Sequence, residues 1–187
     1  MKLHENKELY RDAITATAQQ KGIPEIYVEK DYWVTLALNR IFTSDIGKEA
    51  VFKGGTALSK CYNIIERFSE DIDMVILRNE AETGNQLKAK IKKISNVVAE
   101  VLPEVEAEGI TNKMGMIRKT AHTYAKTFEG QFGQVRDIII VESTWLGSFE
   151  PYTTATVTSF VSEMMKANGQ AALIEAYGLQ PSEVQVL

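Results

Sequence analysis

Apolar positions recur at helical spacing through the first forty residues. Leu9, Tyr10, Ala13, Ile14 and Thr17 predict one helix over residues 5–20, stopped by Gly22. Pro24, a favoured first-turn residue, predicts a second through VEKDYWVTLALNRIF, with Trp33, Leu36, Ala37 and Ile41 inward. Val51 and Phe52 then read as the end of a short strand delivering the chain to Gly54 and Gly55. A third helix follows from Ala57, Leu58, Cys61, Ile64, Ile65 and Phe68.

At Asp71 the period changes to two, and DIDMVIL reads as a strand. Leu87, Ile91, Ile94, Val97, Val98, Val101 and Leu102 form one face of a long helix that Pro103 closes. TAHTYAKTF has strand composition, and VRDIIIVES, residues 135–143, is apolar enough for a strand covered on both faces. Helical spacing returns with Val157, Phe160, Val161, Met164 and Met165, and a short helix runs through Leu173, Ile174 and Tyr177. This order predicts an α+β fold with α/β character, a small mixed sheet flanked by N-terminal and C-terminal helices. Residues 1–48 are expected to pack as helices on a core of residues 49–148, with 149–187 beginning a C-terminal helical region.

The chain has 187 residues, 44% of them hydrophobic, enough for one hydrophobic core. The N-terminus carries no secretory apolar segment and no run is long enough to cross a membrane, so a cytoplasmic location is expected. Cys61 is the only cysteine, and His4 and His122 are the only histidines, so a metal would be held mainly by carboxylates. His122 has no evident nucleophile partner and reads as a packing or surface residue. The net charge of −4 argues against a generally basic surface. Basic residues outnumber acidic ones only between residues 78 and 136, where Lys88, Lys90, Lys92 and Lys93 read as a solvated helix face.

The chemistry concentrates between Lys53 and Met74, KGGTALSKCYNIIERFSEDIDM. Strand alternation puts Asp71 and Asp73 on one face, where two carboxylates repel unless a cation lies between them. Mg²⁺ suits such a pair, since it binds through one or two carboxylates together with substrate phosphates. Gly54 and Gly55 permit close backbone approach, and the helix after them directs N–H groups and its positive dipole end toward an anion. Thr56 and Ser59 add hydroxyls, and Lys53 or Lys60 adds charge. Either half alone is commonplace, a turn before a helix or a solvated acidic pair; joined by one helix, they point to a metal and phosphate site.

These residues resemble the DNA polymerase β-like nucleotidyltransferases, whose signature is Gly-Gly or Gly-Ser, a short helix, then D-x-D. FKGGTALSKCY with RFSEDIDM is similar more narrowly to the AbiEii/AbiGii nucleotidyltransferase toxins of abortive-infection and type IV toxin–antitoxin systems. VEKDYWVT, EPYTTATVTSFV and LIEAYGLQPSEVQVL extend the resemblance over nearly the whole chain. It implies transfer of a nucleoside monophosphate from an NTP, with Mg²⁺, to an RNA (tRNA-like) or protein acceptor, and a cognate antitoxin as partner. Gly54, Gly55 and Thr56 would hold the triphosphate, with Lys53, Ser59 and Lys60 near it. Asp71 and Asp73 would bind the metals, and Arg67 and Ser69 would shape the site. A third carboxylate is expected on VRDIIIVES, where Asp137 and Glu142 are both candidates. The resemblance favours Glu142 as a catalytic and metal-binding residue. Lys30 and Asp31 match the EKD element, for which a structural tie is the expected role.

Family members continue past the counterpart of Leu187, so the C-terminal helical region is expected to be truncated. The alternative to an enzyme is therefore a nucleotide-binding or interaction module without turnover. A third reading is a structural domain in which the D-x-D is incidental.

Overall fold

The computed structural model describes residues 1–62, 71–130, 136–147 and 150–187. Its elements in chain order are α1 (Lys7–Lys21), α2 (Glu25–Phe42), β1 (Ala50–Lys53), α3 (Gly54–Tyr62), β2 (Ile72–Ile76), α4 (Gly84–Ala99), β3 (Glu104–Val105), β4 (Ile117–His122), β5 (Ile139–Thr144), β6 (Thr153–Val157), α5 (Phe160–Ala167), α6 (Ala171–Ala176) and β7 (Ser182–Val186). The strands form one mixed sheet in the order β3-β4-β5-β2-β1-β7-β6. The α+β expectation therefore holds. Among the described residues no helix is long and apolar enough to cross a membrane.

Alternation along the central strands divides the sheet into two faces. Phe52, Ile72, Met74, Ile76, Ile139 and Val141 are buried in the main core, together with Leu38 and Ile41 of α2 and Ile91, Ile94 and Val98 of α4. Burying each such side chain contributes about 1.5–3 kcal/mol. The alternate residues of β2 and β5, among them Asp73 and Glu142, belong to the other face. α4 starts where Thr83 and Gln86 cap each other reciprocally, and α5 starts where the Ser159 hydroxyl accepts from the Ser162 N–H at 3.1 Å.

Several elements differ from the sequence expectation, each for a readable reason. Only Thr120, Ala121 and His122 of TAHTYAKTF are in a strand, at the end of β4. Beyond them the Thr127 and Phe128 N–H groups donate to the Glu29 carboxylate at 2.8 and 3.3 Å, so a side chain replaces the strand ladder as their acceptor. In VRDIIIVES the strand begins at Ile139, leaving Arg136 and Asp137 ahead of it. Val157 ends β6 instead of opening a helix, because the Ser159 cap sets the start of α5. Residues 149–187, expected to begin a helical region, supply two paired sheet strands as well as two short helices. β7 buries Val184 and Val186 at period two and runs parallel to β1, with Phe52 opposite Val186. In α3 Leu58 is 36% exposed, against an inward expectation, while Ile64, Ile65 and Phe68 lie outside the described residues.

His122 is a packing histidine. It is fully buried, with Nδ1 donating to the Leu102 carbonyl at 2.9 Å and Nε2 accepting from the Thr120 hydroxyl at 2.9 Å. The roles follow from the carbonyl, which can only accept. Burial holds its pKa below the ordinary value. In the unfolded chain the ring gains a proton below its ordinary pKa of about 6.5, while the folded ring stays neutral, so stability falls as pH falls. Denaturant titrations at pH 7.5 and 5.5 should show this loss in the wild type, with a slope from this residue of at most about 1.4 kcal/mol per pH unit. His122→Gln should lose less between the two pH values.

Candidate active site

The site is built where β1 hands the chain to α3. Antiparallel pairing sets Lys53 opposite Asp73, and parallel pairing sets Asp73 beside Glu142 on β5. A further antiparallel pair puts Lys119 of β4 opposite Glu142. Four charged side chains therefore form a row across adjacent strands on one face of the sheet. Asp71 lies one residue before β2 begins.

Gly54, the first residue of α3, has φ +81°. A Cβ there would fall 2.2 Å from Asp73 Oδ2, so backbone conformation and the neighbouring carboxylate both demand glycine. The Thr56 hydroxyl, fully buried, donates to the Asp71 carbonyl at 2.5 Å, tying the first turn of α3 to the start of β2. Gly55 and Ser59 are half-buried on the same helix. First-turn N–H groups of a helix have no acceptor within it, which makes this end suited to an anion.

Three carboxylates, Asp71, Asp73 and Glu142, crowd together with basic side chains beside them. Asp71 Oδ1 is buried and has no hydrogen-bond partner among the described residues, while Oδ2 is 3.9 Å from the Arg136 guanidinium. Burial raises the pKa of Asp73, and the charges of Glu142 and Asp71 raise it further against the opposing pull of Lys53 and Lys119. Glu142 is held by Lys119 at 3.2 Å, each about one-third exposed. The donors are all carboxylate oxygens, and one of them has no partner among the described residues, so Asp71 and Asp73 fit a hard divalent cation such as Mg²⁺. Among the described residues no three His, Cys, Asp or Glu side chains already converge as a ligand set.

The remaining candidates separate clearly. Asp137 precedes β5 and pairs with Lys126 at 2.6 Å; that bond lowers its pKa, and the register brings Glu142, not Asp137, beside Asp73. The Lys60 ammonium is committed elsewhere than to a nucleotide: it forms a buried pair with Asp31 and donates to the Thr158 carbonyl at 3.3 Å. Arg67 and Ser69 lie outside the described residues. Lys119 and Arg136 were not among the sequence candidates. Their proximity to the carboxylates arises from pairing between distant segments, which no local motif announces.

Residues 36–185 match the family model described as nucleotidyl transferase AbiEii toxin, type IV TA system, and the chain belongs to that family. No curated protein matches the sequence. Among solved structures it is similar to MenT4, a nucleotidyltransferase toxin from Mycobacterium tuberculosis H37Rv, at 18% identity and a TM-score of 0.43. That alignment covers 71% of this chain and 44% of the MenT4 chain, so this chain spans less than half the length of that structure.

Two substitutions test the geometry without any nucleotide. A carboxyl whose folded pKa is raised destabilises the fold when ionised, and the penalty disappears as pH falls through that pKa. Asp73→Asn should therefore keep or raise the melting temperature at neutral pH in chelator, and a fall of many degrees would show a structural role instead. Gly54→Ala should lower stability by at least about 1–2 kcal/mol from the left-handed backbone alone, measured by denaturant unfolding.

Proposed function

We propose that this chain is a Mg²⁺-dependent toxin enzyme of the cytoplasm that transfers a nucleoside monophosphate from an NTP to a hydroxyl of an RNA or protein acceptor. The observation that carries this reading is an Asp71 oxygen without a hydrogen-bond partner among the described residues, beside a crowded Asp73 that lies against a helix start only glycine can form. Asp71 and Asp73 would hold the cation, with Glu142 as the third carboxylate. Bound there, the cation supplies Lewis-acid polarisation of the phosphate oxygens.

The chain's own groups account for the rest of the chemistry. Backbone amides of Gly54, Gly55 and Thr56 orient the triphosphate, and Ser59 adds a hydroxyl nearby on α3. Lys53, Lys119 and Arg136 surround the carboxylates with positive charge that balances the phosphates as they enter. The acceptor oxygen forms a bond to the α-phosphorus as the α–β bridging bond breaks, and pyrophosphate leaves with the bonding electron pair. Carboxylate oxygens not engaged in ligation are the bases available for the hydroxyl proton. Family membership supports a cognate antitoxin as the regulatory partner.

The test is a thermal shift with each ribonucleoside triphosphate, with and without Mg²⁺, followed by radiolabel transfer to total RNA and to protein. Stabilisation should require Mg²⁺ and vanish in Asp71→Asn/Asp73→Asn; a ligand at 100 times its Kd gives about 2.7 kcal/mol. Binding without label transfer would favour the module without turnover. No shift with any nucleotide would refute the reading.

A further inference from the structure

The EKD stretch of α2 is left unused by the reaction chemistry, yet it contains three consecutive buried charged residues. Glu29, Lys30 and Asp31 are only 1%, 0% and 4% exposed. Successive helix residues point about 100° apart, so each leaves α2 in a different direction. Glu29 accepts the Thr127 and Phe128 N–H groups and the Tyr10 hydroxyl. Lys30 donates to the Arg136 carbonyl. Asp31 takes the Lys60 ammonium on Oδ1 and the Phe160 N–H, at 2.8 Å, on Oδ2.

Two of these destinations belong to the active site. Arg136 is the residue whose guanidinium faces Asp71, and Lys60 sits on the helix that Gly54 begins. Apolar packing of α3 is thin: among its described residues Thr56 and Ala57 are buried, while Leu58 and Tyr62 are 36% and 37% exposed. Polar ties therefore hold the described part of the helix, Thr56 to the Asp71 carbonyl in the first turn and Lys60 to Asp31 further along. Buried ion pairs are poor sources of net stability, because desolvation offsets their attraction; their better-attested use is to select one arrangement over others.

We propose that Lys30 and Asp31 are positioning residues for nucleotidyl transfer. Asp31, through Lys60, fixes the direction in which α3 presents its first turn to the triphosphate. Lys30, through the Arg136 backbone, sets the guanidinium opposite Asp71. The assignment rests on the reading of Gly54 to Thr56 as the phosphate cradle, and it separates the two residues by kinetic signature.

The experiment compares the wild type, Asp31→Asn/Lys60→Met, Lys60→Arg and Lys30→Met in melting temperature, Kd for Mg²⁺–NTP, KM and kcat. In the double variant the Asp31→Asn amide keeps an acceptor oxygen for the Phe160 N–H while both charges are removed. That variant should unfold cooperatively with Kd and KM raised roughly tenfold or more, and Lys60→Arg, which keeps the pair, should stay near wild type. Lys30→Met should keep its Kd within about twofold and lose roughly tenfold or more in kcat. Should it fail to fold, Lys30→Gln, which retains a neutral donor, is read by the same criteria. Folded variants with wild-type Kd and kcat would overturn the proposal and leave the stretch a structural tie. A wild type that binds no Mg²⁺–NTP would instead refute the cradle on which it rests, and the two failures are told apart in the first column of data.

Discussion

The arrangement of the site depends on one register, the parallel pairing that sets Asp73 of β2 beside Glu142 of β5. It brings two carboxylates to neighbouring positions on a partly buried face, with a third, Asp71, at the strand's start. Such crowding is unfavourable by itself, and the fold sets basic side chains around it. Lys53 faces Asp73 from β1, Lys119 holds Glu142 from β4, and Arg136 approaches Asp71. None of the three lysine and arginine contacts buries a fully neutralised pair. These contacts are long and partly exposed, unlike the buried pair of Asp31 and Lys60.

The two faces of the sheet divide the labour. One is closed by α2 and α4 over Ile72, Met74 and Val141, and apolar burial there supplies the stability that a crowded acidic face cannot. The other face carries the charged row. Because side chains alternate along a strand, a single segment, IDMVI, serves both, with Met74 in the core and Asp73 in the site. A one-residue slip of β2 would exchange those roles, so the hydrophobic core also fixes the position of the carboxylate. α2 links the two functions: its apolar residues pack in the core, while Glu29, Lys30 and Asp31 bind segments that lead to the site.

Much of this was legible in the order of residues. Helical periodicity located α1, α2 and α4, and the change of period at Asp71 located β2, because 3.6-residue and two-residue repeats are imposed locally by backbone geometry. The Gly54–Gly55 and Asp71–Asp73 elements were legible for the same reason: a left-handed glycine at a helix start and alternate carboxylates on a strand are short-range features. β6 and β7 were missed because their period-two runs are brief and abut helical segments, so only sheet pairing distinguishes them. TYAKTF was misread because the N–H groups of Thr127 and Phe128 go to Glu29, almost a hundred residues earlier in the chain.

The sequence by itself therefore determined the fold class and the family resemblance and marked the two halves of the candidate site, since each is written in contiguous residues. Tertiary structure decided which distant groups join them. Apolar alternation did not choose between Asp137 and Glu142, and only the resemblance favoured Glu142; the β2–β5 register puts Glu142 beside Asp73 and leaves Asp137 with Lys126. Lys60 looked like a phosphate ligand until packing against α2 gave its ammonium to Asp31. Lys119 and Arg136 carried no signal at all before folding. A charge acquires its role from what surrounds it at a few ångströms, and those distances between remote segments are set only when the sheet pairs and the helices close over it.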